Sequence, residues 1–232
     1  MQAAGSNAIP IDCRAACPAA LDLHLWLLPV DASSRPNARE QARAWLHAWL
    51  CEHFDLPPKA WALNNVRGQA LAIALDTPLP PAKIAALQGA HFSLAYEGDW
   101  ALIAFSPRHP IGVDLVRVPR AALGQNAEHW LQLARDYLPP AAAAQLLALP
   151  SPHARADYFA RAWSQHEAAL KALSLPLQEY APALAHTLGR CSSLTLENLP
   201  IPHEADQVWA AALAWQNTLS TALLKNGFFA PE

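Results

Sequence analysis

Residues 91–106 read HFSLAYEGDWALIAFS. Two apolar runs flank Glu97-Gly98-Asp99, and a Gly-Asp pair between strand-forming runs is the chemistry of a hairpin turn. The rest of the fold must be built around this pair. Upstream, the partly alternating run Leu21 to Val30 fits a strand. The long helical pattern RPNAREQARAWLHAWLCEHF follows and closes before Asp55-Leu56-Pro57-Pro58, and Gly68 to Leu75 reads as a further strand. Downstream, Ser106 to Pro110 punctuates the chain and Ile111 to Val118 opens another strand. A helical region starts near Ala121 and is broken at LPP and again at LPSP. Ser151 is placed as an N-cap, with Pro152 at the first helical position. SLTLENLP and VWAAALAWQ are the last expected strands.

This order, strand-helix-strands and then strand-helices-strands, predicts an α+β fold. We expect two similar, pseudo-symmetric α+β subdomains, residues 1–108 and 109–232, with the active site at their interface. With 232 residues, 53% of them apolar, the chain has enough hydrophobic material for a sizeable core. Its 16 basic and 19 acidic residues give a net charge of −3, which argues against a nucleic acid held by counterion release. Any anion must be met by a local cluster. No basic stretch leads into an apolar run at the N-terminus, and no window approaches the ~20 apolar residues of a membrane span. The expectation is a soluble, cytoplasmic monomer with no nucleic-acid or membrane partner. Cys13, Cys17, Cys51 and Cys191 are too scattered for a disulfide framework, and Cys13 and Cys17 lack a second ligand pair for zinc.

Two stretches hold the polar residues of interest. In FARAWSQHEAALKAL, Phe159 to Leu173, the residues Phe159, Trp163, His166, Leu170 and Leu173 share a helical arc of about 80° at about 100° per residue. Beside that stripe, Glu167 and Lys171 are four apart; taken alone, they make an ordinary i, i+4 ion pair. The strand IGVDLVRV embeds Asp114 between Val113 and Leu115, where a carboxylate needs a partner to offset its desolvation. Alternation puts Gly112, Asp114 and Val116 on one face, with Gly112 leaving room beside the carboxylate.

Asp114 in IGVDLV, followed 53 residues later by Glu167 in WSQHEAALK, resembles the paired signature of the Sfp-type 4′-phosphopantetheinyl transferases. That signature is roughly (I/V)G(I/V)D and then WxxKE(A/S)xxK. HFSLAYEGDWALIAFSPRHPIGVD is similar to the family's FN(L/I)SHSGxW…PIGID, and LSLPL, Leu173 to Leu177, is similar to the segment after its final lysine. The resemblance covers about residues 66 to 180.

It implies transfer of phosphopantetheine from coenzyme A to a serine of an apo acyl or peptidyl carrier protein, with Mg2+ as cofactor and adenosine 3′,5′-bisphosphate as the other product. By family match, Asp114 and Glu167 are the metal ligands, and Asp114, Glu167 and Lys171 the catalytic set. Arg67, Tyr96, Gly98, Asp99, His166 and Lys171 fall at coenzyme A-binding positions. Several letters differ from the family. Tyr96 stands for a histidine, Glu97 adds a negative charge, Gln69 replaces a lysine, Val116 stands where many members carry a third acid, and His166 replaces the lysine before Glu167. His166 reads equally as a core histidine and as a short cation toward phosphate. Arg35, Arg39 and Arg43 give the first long helix a basic edge, read as a solvated face that reaches the nucleotide's 3′-phosphate only on the alternative view. The rival reading of the whole chain is a catalytically degenerate transferase fold that binds a carrier protein or synthase.

Overall fold

Two capped helices and one glycine turn set the frame. In the computed structural model the described residues are 8–12, 22–31, 33–64, 71–76, 78–120, 124, 127–201 and 206–216. Helix α1 (Arg35–His53) starts where the Ser34 hydroxyl accepts the Asn37 N–H at 3.3 Å, with Pro36 in the first turn where no amide donor is needed. The longest helix (Pro152–Ala172) starts in the same way, the Ser151 hydroxyl accepting the Ala154 N–H at 3.2 Å. At the hairpin, Gly98 has φ of 53°, a left-handed conformation that glycine adopts at little cost.

The strands are β1 (Ile9–Pro10), β2 (His24–Pro29), β3 (Trp61–Asn64), β4 (Ala72–Leu75), β5 (His91–Glu97), β6 (Trp100–Ser106), β7 (Ile111–Pro119), β8 (Leu194–Leu199) and β9 (Gln207–Gln216). The helices after α1 are α2 (Pro81–Gln88), α3 (Ala127–Tyr137), α4 (Pro140–Ala148), α5 (Pro152–Ala172) and the short α6 (Ala185–Gly189). One antiparallel sheet has the order β1-β2-β6-β5, a second has β7-β9-β8, and β3 pairs with β4.

Strand alternation assigns each face its cover. Leu25, Leu27, Ala95, Leu102 and Ala104 of the first sheet share a core with Ile111, Val113, Leu115, Leu213 and Trp215 of the second. The opposite face of the first sheet, with Trp26, Ile103 and Phe105, is covered by Ala38, Ala42, Leu46 and Leu50 of α1. The opposite face of the second sheet is covered by α3, α4 and α5 through Ala134, Leu146 and Phe159, with Leu138 of the α3–α4 loop. Val113 N–H donates to the Ser93 hydroxyl at 2.9 Å, and Arg117 faces Glu97 at 3.7 Å. Both contacts span the same sequence separation, so β5 and β7 run side by side in one direction.

The fold class is α+β, as the element order predicts. The hairpin, the Ser151 cap and the late strands lie where expected, while β1, β3, α2 and α6 were not anticipated. Arg67, Gly68, Gln69, Cys13 and Cys17 lie outside the described residues. Cys51 and Cys191 are free thiols.

Candidate active site

Gly112 governs how closely β7 and α5 approach. A Cβ built at Gly112 would lie 1.9 Å from the Ala168 carbonyl oxygen and 2.5 Å from the Ala172 nitrogen. The room predicted beside Asp114 is therefore filled by the helix backbone itself. Ala168, Ala169, Ala172, Ala212 and Ala214 continue this seam of small residues between helix and sheet. The close approach carries the last two turns of α5 over the helix-facing side of β7, where Asp114 points.

Asp114 is only 5% exposed. Its Oδ1 accepts from Lys171 Nζ at 2.7 Å, and the same ammonium donates to the Val113 carbonyl oxygen at 3.1 Å. Glu167 Oε2 lies 3.9 Å from that nitrogen. The other Glu167 oxygen, Oε1, accepts the indole N–H of Trp163 at 2.9 Å. Trp163 is fixed in turn by stacking on Phe159 at 5.4 Å and by an edge contact with Tyr137 at 5.9 Å. Two carboxylates from distant parts of the chain thus converge on one ammonium. Burial pushes the Asp114 carboxyl up to about 7, Lys171 pulls it down, and the nearby Glu167 charge adds to the rise.

His166 is 6% exposed, and its Nε2 is buried with no hydrogen-bond partner among the described residues. Burial lowers its basicity, with Glu167 pulling the other way. In this arrangement burial favours the neutral imidazole over the cation.

Of the other expected site residues, Arg67 lies outside the described residues, and Tyr96, Gly98 and Asp99 make their contacts with other partners. Tyr96 is on the α1-facing side of β5, the same face as Phe92 and Leu94. Arg39 lies over its ring at 6.0 Å from the centroid, and Arg43 hydrogen-bonds the phenol. Burial raises the Tyr96 phenol, and both arginines oppose the shift. Arg43 is half-buried, with its Nε lacking a partner among the described residues, so this edge is more than a solvated face. Of Arg35 only the helical position is described. Glu97 is not an isolated negative charge but pairs with Arg117, whose guanidinium also lies over Trp209 at 5.5 Å and against Gly98. Asp99 is exposed in the turn, where its carbonyl accepts from the Val30 N–H at 2.9 Å.

Sequence places Trp163 in the apolar stripe and the family signature, and Arg43 on the basic edge of the first helix, without counting either among the site residues. The i, i+4 spacing of Trp163 and Glu167 was a readable signal for the first.

Among the described residues no group of three or more His, Cys, Asp and Glu side chains is gathered closely enough to hold a metal. Asp114 and Glu167 form a pair, and Val116 occupies the next helix-facing position on β7. Two hard oxygen donors already sharing one cation suit magnesium, which commonly accepts one or two carboxylates and completes its shell with phosphate oxygens and water.

Residues 110–212 match the model of the 4′-phosphopantetheinyl transferase superfamily. The match covers less than half of the chain but includes Asp114, Trp163, Glu167 and Lys171. It supports phosphopantetheine transfer as the general chemistry of this segment. Comparison with curated proteins finds no significant match. No helix among the described residues is long and apolar enough to cross a membrane.

Proposed function

We propose that the chain is an Sfp-type, magnesium-dependent phosphopantetheinyl transferase acting on a serine of an apo acyl or peptidyl carrier protein. The observation that carries this reading is the meeting of Asp114 and Glu167, from a strand and a helix, at the Lys171 ammonium. In this reading residues 1–108 hold the nucleotide side of coenzyme A, and residues 109–232 hold the metal and the reacting groups.

The chemistry requires the serine oxygen to bond to the β-phosphorus of coenzyme A while the bond from that phosphorus to the bridging oxygen breaks. The electron pair leaves with adenosine 3′,5′-bisphosphate. Glu167 takes the serine proton, its carboxylate held in orientation by the Trp163 indole. Lys171 offsets the charge that builds on the leaving group. Asp114 and Glu167 would hold magnesium, which when bound supplies charge neutralisation for the pyrophosphate.

Incubation with coenzyme A, Mg2+ and a panel of apo-carriers should add the mass of one phosphopantetheine to at least one carrier by mass spectrometry. Glu167→Gln should lower the rate by about 10²–10⁴-fold while leaving the melting temperature unchanged. No mass gain across a broad panel would overturn the reading.

The positions of Tyr96, Glu97 and His166 favour a second reading, a carrier-binding module without catalysis. Tyr96 turns toward α1, Glu97 is tied to Arg117, and His166 is buried. Calorimetry separates the two, because a module should show no magnesium-linked binding of coenzyme A.

A further inference from the structure

We propose that Lys171 is a resident counter-ion that competes with the divalent cation, so that metal and pyrophosphate enter the site together and metal alone is held weakly. The metal assignment is that of the preceding subsection, and the inference rests on it. Lys171 Nζ lies 2.7 Å from Asp114 Oδ1 and 3.9 Å from Glu167 Oε2, in the space that a cation bridging these carboxylates must enter. The three partners differ in freedom to move. Asp114 is buried on a strand, and Trp163 holds Glu167 by one oxygen. Lys171 is 31% exposed on a long flexible stem, whereas Glu167, 24% exposed, is tethered by Trp163, so Lys171 is the partner free to swing out.

Charge counting gives the direction. With both carboxylates ionised, as a metal ligand pair must be, the trio carries one net negative charge. A divalent ion added with Lys171 in place reverses that sign and sets two cationic centres against each other at short range. The pyrophosphate of a substrate removes the conflict by giving the displaced ammonium a new anionic partner. Val116, in place of a third acid, supplies no compensating charge of its own.

The competition predicts an unusual outcome, because removing a lysine that merely supports the structure cannot tighten metal binding. Manganous ion serves as the probe, with free Mn2+ read by electron paramagnetic resonance in titrations without coenzyme A. Lys171→Met and Lys171→Gln should each bind Mn2+ alone about ten- to a hundredfold more tightly than wild type. Asp114→Asn should abolish binding in every background. Lys171→Gln retains a hydrogen-bond donor for Asp114, so it carries the test if Lys171→Met fails to fold. Equal or weaker Mn2+ affinity in the folded Lys171 variants would overturn the proposal. A separate wild-type titration with coenzyme A reports on the transferase reading. If coenzyme A does not tighten Mn2+ binding in wild type, the joint entry of metal and pyrophosphate and the transferase reading both fail, whereas tighter Mn2+ binding by the Lys171 variants would still support Lys171 as the competing counter-ion.

Discussion

Strands β5 and β7 lie side by side, and each turns one face toward a long helix, yet the two faces treat charge in opposite ways. On β7, Asp114 meets Glu167 and Lys171 of α5, so an acidic pair is balanced by an internal lysine. On β5, Tyr96 meets Arg39 and Arg43 of α1, so among the described residues a basic pair faces a neutral phenol. The acidic face is set by backbone contact between Gly112 and α5, and it lies in the segment that matches the transferase superfamily. The basic face is built from long side chains and lies outside that segment. In the proposed reading the reacting groups are therefore placed by main-chain packing, whereas the face assigned to the nucleotide rests on side-chain contacts alone.

The comparison breaks most visibly at the two glycines. Gly112→Ala forces a methyl into helix backbone that has no side chain to move aside, and we expect a loss of at least about 4 kcal/mol, with a steep fall in melting temperature. Gly98→Ala meets the flexible Arg117 guanidinium at 3.3 Å and carries mainly left-handed strain, a loss of about 1 kcal/mol. Thermal melts of both variants measure the contrast, and similar losses would refute it.

The residues that were legible from sequence share a local signature. Gly98 marked the hairpin, Ser151-Pro152 marked the start of α5, and alternation placed Asp114 opposite the inner core. The convergence of Asp114 with Glu167 came from two spaced motifs, not from periodicity. What escaped depended on which element covers which face. Tyr96 shares its parity with Phe92 and Leu94, but nothing local revealed that α1 and its arginines cover that side. Trp163 looked like core because its stripe is apolar, yet its indole has a polar end that grips Glu167. The i, i+4 spacing shows Lys171 beside Glu167, while its shorter contact is to Asp114, 57 residues away.

A second difference is in pH response. In the folded state the Asp114 carboxyl titrates near 7, against an ordinary value of 3.8, so folding takes up a proton between those limits. Its contribution is thus fully present below about pH 4, declines as pH rises toward 7 and is flat above that. Burial pushes His24, His91 and His166 the other way, favouring the fold at higher pH and weakening it as pH falls. These histidines are common to wild type and Asp114→Asn, so the stability difference between the two proteins isolates the carboxyl. Denaturant titrations from pH 5 to 8 should show wild type losing on the order of 3 kcal/mol relative to Asp114→Asn. A difference independent of pH would mean that Lys171 keeps Asp114 ionised throughout.

The finest test divides the two faces kinetically, under the proposed transferase activity. Trp163→Phe retains the ring stacking with Phe159 but removes the indole donor from Glu167 Oε1. Glu167 then samples orientations unsuited to accepting the serine proton, so kcat should fall by about tenfold with KM for coenzyme A little changed. Arg43→Ala removes a cation from the other face. If that face binds the nucleotide equally in ground and transition states, KM should rise by about tenfold and kcat should hold. Phosphopantetheine transfer measured over a range of coenzyme A concentrations separates these signatures. A fall in kcat for Arg43→Ala would join the two faces into one reacting site, whereas no effect on either constant would leave Arg43 as a structural partner of Tyr96. The expected crossed pattern requires that chemistry and anchoring be separable by the strand that carries them, which is what opposite charge on β5 and β7 implies.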